Sequence, residues 1–175
     1  ERISSDSDIN EEFSSHIIPN FIPIIIINEK LLLPQSLPEG ILAIDISAES
    51  KGKISNDSFW EVADYHDSSF VAENTALFRN YISIHITKNT RLEHPIHLIH
   101  LVKAKSGCRL FPRIHVNIGQ GAEVEIWKTE SGGDNNSHLI NSVTEVIVHE
   151  NASLKWTNTQ EFNHQVGHIS SFNIS

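Results

Sequence analysis

A chain of 175 residues that is 39% hydrophobic, with eight Phe and three Trp, can bury one core and is no disordered polymer. Its 13 Lys and Arg stand against 22 Asp and Glu, a net charge of -9 with no basic run to offset it. Duplex nucleic acid and anionic membrane surfaces would repel such a chain, so neither is expected as a partner. The single cysteine, Cys108, leaves no internal disulfide framework and agrees with a reducing, cytoplasmic setting.

Residues 1–20, "ERISSDSDINEEFSSHIIPN", are Ser- and acid-rich without a sustained period and read as a flexible tail. A lead-in segment over 21–80 follows. "FIPIIIINEKLLL" holds two apolar runs around Asn28-Glu29, a tight hairpin in pattern. Pro23 and Asn28-Glu29-Lys30 break it far short of the ~20 apolar residues that span a bilayer. No positively charged start precedes it, so it is no signal peptide either. "PQSLPEG" is a turn cluster, and "ILAIDIS" a short strand with Ile44 and Ile46 on one face. The best helix candidate is "NDSFWEVADYHDSSFVAENTALF", with Asp57 or Ser58 as cap and Glu61 completing a capping box with Ser58. The chain starts at Glu1, contains no Met, and ends inside what reads as a strand, so it is expected to be a piece of something longer.

From Tyr81 to the C-terminus the chain repeats itself. "YISIHITKNTRLE" (81–93), "IHVNIGQGAEVEIWKTE" (114–130) and "TEVIVHENASLKWTNTQ" (144–160) share one frame at offsets of 30 to 32 residues. Alternate aliphatics come first: Ile84 and Ile86, Val116 and Ile118, Val146 and Val148. Period two sends each pair to one face of a strand. A permissive corner residue follows, Asn89, Gly121 or Asn151, of the types that tolerate a left-handed backbone. Then come a small residue (Thr90, Ala122, Ala152) and another aliphatic (Leu92, Val124, Leu154). Each unit therefore reads as strand, corner, strand and a variable return. One such coil cannot bury enough surface to stand alone, so the units must stack. A β-sandwich whose strands merely look alike is the competing reading, and stacking of 84, 116 and 146 in parallel register would exclude it.

In their order and spacing, "FVAENTALF", "ISIHITKNTRLEHPIHLIHL", "FPRIHVNIGQGAEVEIWKTE" and "LINSVTEVIVHENASLKW", preceded by "FIPIIIINEKLLL" and "LPEGI", resemble the core of the SufB/SufD family of iron–sulfur cluster assembly components. The resemblance runs from about Phe21 to the C-terminus. It implies a mainly β fold, an incomplete right-handed parallel β-helix over 81–175, behind a short N-terminal α/β lead-in. It also implies a non-enzymatic role, since SufB and SufD pair and join two copies of the ATPase SufC into a scaffold that builds nascent clusters. The SufD branch is expected, because the more elaborate signatures of the SufB core are missing. The implied partners are SufB and SufC homologues, together with self-association of the isolated chain at an uncovered coil end. No cofactor is expected in this piece; the iron–sulfur cluster belongs to the full complex. The family usually has an Asp-Gly turn after "NTALF", where this chain has Arg79-Asn80-Tyr81, and Asn is expected to make the same turn. No residue matches the family's ATPase contact, pairing surface or cluster-associated Cys and His, so none is carried over.

Eleven His invite a metal hypothesis. His94, His97 and His100 recur at intervals of three, which on a strand alternates faces and defeats a shared ligand set. His164 and His168 have a spacing seen in zinc sites but no Cys pair beside them, and are expected to be structural or solvated. Cys108 sits by Gly107 in a corner, with Arg109 placed to favour a thiolate. These three, His164, His168 and Cys108, are the weak metal candidates; no catalytic or cofactor-binding residue is expected. Trp156 aligns with inward Ile126 and reads as core, Trp127 as surface or the lining of a partner contact. Glu123 and Glu125 alternate with apolar residues, so they face outward and are solvated rather than paired for acid–base work. "SGGDNNS" lacks the Lys-Ser/Thr of a phosphate-binding loop. A carbohydrate-active β-helix enzyme is the rival reading; it predicts secretion and a groove rich in Asp, Lys, Arg and exposed aromatics.

Overall fold

The structure, a computed structural model, describes residues 14–32, 36–47, 62–103, 107–132 and 137–175. The capping box of Asp57, Ser58 and Glu61 lies outside the described residues, as does most of the N-terminal tail. The "FIPIIIINEKLLL" hairpin forms as expected: β1 (Ile22–Ile27) and β2 (Lys30–Leu32) pair antiparallel around Asn28, whose φ is 57°. β3 (Ile41–Ser47) follows the Gly40 turn.

The helix is shorter than its sequence candidate. α1 covers Ser69–Leu77, and the Ser68 hydroxyl accepts the Val71 N–H at 3.4 Å as its N-cap. Asn80 does not make a left-handed turn after it. It opens β4 (Asn80–Ile86) in register opposite Ser47, because Phe78 has already turned extended at φ -61° and ψ 140°.

Strands then alternate between two sheets. β5 (Ile96–Val102), β8 (Glu123–Gly132) and β10 (Ser153–Phe162) stack in parallel on one sheet, with β1 parallel to β5 on the other side. β4, β7 (Arg113–Ile118), β9 (His138–Val148) and β11 (Val166–Ile174) stack in parallel on the second, with β3 as an antiparallel edge. The two-residue β6 (Arg109–Leu110) pairs with the start of β9. The sheets are thus mixed, and neither closes into a barrel.

The repeat is confirmed residue by residue. Ile84 sits opposite Val116 and Val116 opposite Val146; Ile86, Ile118 and Val148 form the next row. Val124 pairs with Leu154, and Ile126 with Trp156. That parallel register excludes the sandwich reading, in which neighbouring chain segments would pair as antiparallel hairpins. The inward residues of both sheets merge into one core: Ile24, Ile26, Ile96, Leu98 and Ile126 from one, Ile82, Ile84, Val116, Ile118 and Val146 from the other.

The corners repeat in backbone detail as well. Asn89, Gly121 and Asn151 all have positive φ, at 59°, 69° and 58°. Gly119 N donates to Ile86 O at 2.8 Å, and His149 N to Ile118 O at 3.0 Å. Glu123 N donates to Thr90 O at 2.9 Å, and Ser153 N to Ala122 O at 2.8 Å. Two glycine substitutions should therefore behave differently. A Cβ on Gly119 would meet Lys88 N at 2.7 Å and Ile86 O at 2.8 Å, both backbone, so Gly119→Ala forces two rungs apart. It is expected to cost about 1–3 kcal/mol in urea denaturation. Gly121→Asn adopts a backbone that Asn already holds one rung away on either side, and should cost less than about 1 kcal/mol.

The outer faces are covered unequally. Ile17 and Leu32 pack over Ile25, Ile99 and Leu101 on the first sheet. On the second, α1 and its approach lay Val71 and Ala63 over Val143, and Phe78 groups with Tyr81 and Phe111. Leu42 and Ile44, on the outward face of edge strand β3, remain 60% and 53% exposed. Among the described residues no helix is long and apolar enough to cross a membrane.

Candidate functional site in the polar half of the interior

Strand parity carries polar side chains into the same interior as the aliphatic core. Along β8, Val124 and Ile126 point inward, and so must Lys128 and Glu130 two and four residues on. Along β5 the inward row is Ile96, Leu98 and His100; along β9 it includes Ser142 and Thr144. All six polar members are buried or nearly so, counting His168 on β11 with the five already named. The lumen is therefore apolar near the Asn89–Gly121–Asn151 corners and polar toward the other end of the strands.

Glu130 is the hub. Its Oε1 lies 2.9 Å from Lys128 Nζ, 3.4 Å from His100 Nδ1 and 3.6 Å from His168 Nε2. Lys128 Nζ also reaches Thr144 Oγ1 at 3.4 Å, and His168 Nε2 reaches Ser142 Oγ at 3.2 Å, so the network ties one sheet to the other. His100 Nε2 is 2.8 Å from the Asn28 carbonyl, which can only accept, so that nitrogen carries a proton. Burial alone would raise the Glu130 pKa. Hydrogen bonds from His100 and His168 and the charge of Lys128 overrule it and hold the carboxyl far below the usual range. Glu130 Oε2 has no hydrogen-bond partner among the described residues. Such a group can neutralise charge, orient its members and pass protons within the core.

A second polar cluster lies on the outer face of the second sheet, under α1. Arg113 and Glu145 are fully buried and paired, and Arg113 Nη1 also donates to Thr75 Oγ1 at 2.9 Å and Asn74 Oδ1 at 3.2 Å. Asn74 Nδ2 donates to the carbonyls of Asn141 at 2.7 Å and Pro112 at 3.0 Å, and Asn141 returns a bond to Phe70 O. The helix is thereby latched to the sheet. Burial, Arg113 and His85 together lower the neighbouring His115 to about 4.

The sequence candidates are scattered. His164 is exposed in the β10–β11 turn, whereas His168 points inward to Glu130 and Ser142. His94 is exposed; His97 and His100 take opposite faces of β5, as period two requires, and His97 Nε2 bonds Thr129 Oγ1 at 2.9 Å. Among the described residues no group of three His, Cys, Asp or Glu is placed to hold a metal ion. Cys108 Sγ lies 3.2 Å from His138 Nδ1. Arg109 does not favour a thiolate there: it turns to Glu73 at 2.5 Å, while burial and the charge of Glu29 push the thiol up. Trp156 joins the core against Phe172, and Trp127 packs on Phe21 with its Nε1 donating to Glu125 at 2.7 Å. Glu123 and Glu125 do face outward, but they are ion-paired, with Arg91 at 2.9 Å and Lys155 at 2.8 Å. Sequence reasoning passed over Lys128, Glu130, Arg113, Glu145 and His138.

Residues 100–175, from the end of β5 through β11, match the family model described as SUF system FeS cluster assembly, SufBD core domain. The match supports the SufB/SufD family and does not separate SufD from SufB. No curated protein matches the chain.

Proposed function

We propose that this chain is part of a SufD-like scaffold subunit of an iron–sulfur cluster assembly complex, built as a right-handed parallel β-helix. The observation that carries the reading is the SufBD core match over residues 100–175. The stacked rungs favour it, since 84, 116 and 146 occupy one parallel row and the corners repeat bond for bond. The subunit itself is non-catalytic and cytoplasmic. It holds and orients a SufB partner and the ATPase SufC, and the cluster is what the whole complex builds. The polar half of the lumen fits this role as a brace that fixes the spacing of the two sheets.

The test is affinity capture of the protein expressed from its full-length gene, in cells co-expressing SufB and SufC homologues. Both partners are expected to co-elute in stoichiometric amounts. Capture of neither overturns the reading, and capture of SufC with a SufD homologue instead would move the chain to the SufB branch.

A further inference from the structure

Beyond the Glu130 network, one corner brings two donor groups together and sets the charge of a third residue near them. Cys108 lies between β5 and β6, His138 opens β9, and Glu29 sits in the β1–β2 turn. Cys108 Sγ and His138 Nδ1 are 3.2 Å apart. His138 is only 4% exposed, and its Nε2 has no hydrogen-bond partner among the described residues. Glu29 is buried too, with Oε1 accepting the Phe111 N–H at 2.7 Å. The cation next in sequence, Arg109, is committed to Glu73 on the other side. A soft donor and an imidazole nitrogen thus stand together, and the Glu29 charge acts on the thiol.

We propose that Cys108 and His138 form an open binding site for a divalent cation of the zinc class, in the field of the Glu29 carboxylate. Tetrahedral coordination with ordinary Zn–S and Zn–N lengths separates sulfur and nitrogen by about 3.5 Å, so the pair must open by only a few tenths of an ångström. With no third protein donor placed among the described residues, the other positions fall to water or an incoming ligand. Binding exchanges the thiol proton for the metal: the S–H bond breaks, the proton leaves to solvent, and the thiolate and the Nδ1 lone pair coordinate the ion. The negative charge that disfavours a bare thiolate favours the cation that replaces its proton. The proposal does not rest on the SUF reading and stands or falls separately from it.

Cobalt(II) is the probe, titrated under reducing, anaerobic conditions. Cys108 is the only cysteine among these 175 residues, and Cys108→Ser isolates its contribution to any thiolate-to-cobalt charge-transfer band. The wild-type protein should develop the band at one equivalent and lose it on adding zinc. Cys108→Ser should abolish it, and Glu29→Gln should weaken binding about tenfold. His138→Gln should weaken it at least as much, with circular dichroism checking that each variant folds. Zinc should also slow iodoacetamide alkylation of native Cys108, a readout that needs no variant. Absence of the band, alkylation indifferent to zinc, or affinity unchanged in Glu29→Gln would each overturn the site.

Discussion

Glu130→Ala is expected to lose about 3–5 kcal/mol in urea denaturation at neutral pH, because it leaves a buried cation without its counter-charge. Lys128 is 2% exposed at its side chain and, among the described residues, is left with the Thr144 hydroxyl at 3.4 Å. The loss should measure the broken pair and not the worth of the network. A double replacement, Lys128→Met with Glu130→Leu, should therefore recover much of it. The pH dependence has a definite sign. The Glu130 carboxyl is depressed below its ordinary value of 4.5, so its stabilisation is present above that value and is lost as pH falls through and below it. Wild-type protein should therefore lose stability on acidification below about pH 4.5 more steeply than Glu130→Gln does. Parallel acid limbs in the two proteins would remove Glu130 from its place as hub.

The architecture was legible because its signal is repeated. The alternation at Ile84, Val116 and Val146 and the corners at Asn89, Gly121 and Asn151 state one local preference three times, and the rows then form as stated. The helix candidate was drawn too long: residues 62–68 are not helical, and Ser68 caps the helix that covers Ser69–Leu77. The polar contacts were missed for a different reason: neighbouring residues were weighed along the sequence and not across rungs. Cys108 meets His138 and His100 meets Glu130 at a separation of 30 residues; Arg113 meets Glu145 and His97 meets Thr129 at 32. The first two separations are the register offset of their strands; the other two are diagonal neighbours, since Arg113 lies opposite Val143 and His97 opposite Trp127. Polar residues read at the 30-residue offset would have found the first two pairs directly and the other two within two residues, because a stacked coil places position n above n + 30 on these strands as surely for a charge as for an aliphatic. His164 and His168 looked related by a spacing of four, a helical neighbour relation that carries no weight across a β-turn.

Arg113→Ala is the companion experiment on the outer face, and its pH dependence runs the other way. Removing the guanidinium strands Glu145 beneath α1 and withdraws the donor that holds Asn74 and Thr75. The cost should again be about 3–5 kcal/mol, accompanied by faster hydrogen exchange in Ser69–Leu77 as the latch opens. Burial raises the Glu145 carboxyl from 4.5 to about 7 against the pull of Arg113. A carboxyl raised on folding contributes stability that is full below its unfolded value and lost as pH rises through its folded one. In the wild-type protein that window runs from 4.5 to about 7. Arg113 is what opposes the burial among the described residues, so without it the folded value must climb further. The penalty of Arg113→Ala should accordingly be smaller at pH 5, where Glu145 can take up a proton, than at pH 8. In Glu145→Gln the decline between pH 5 and pH 8 should flatten. A penalty equal at both pH values would mean that Glu145 stays ionised throughout, and that the latch depends on the hydrogen bonds of Asn74 and Thr75 rather than on charge.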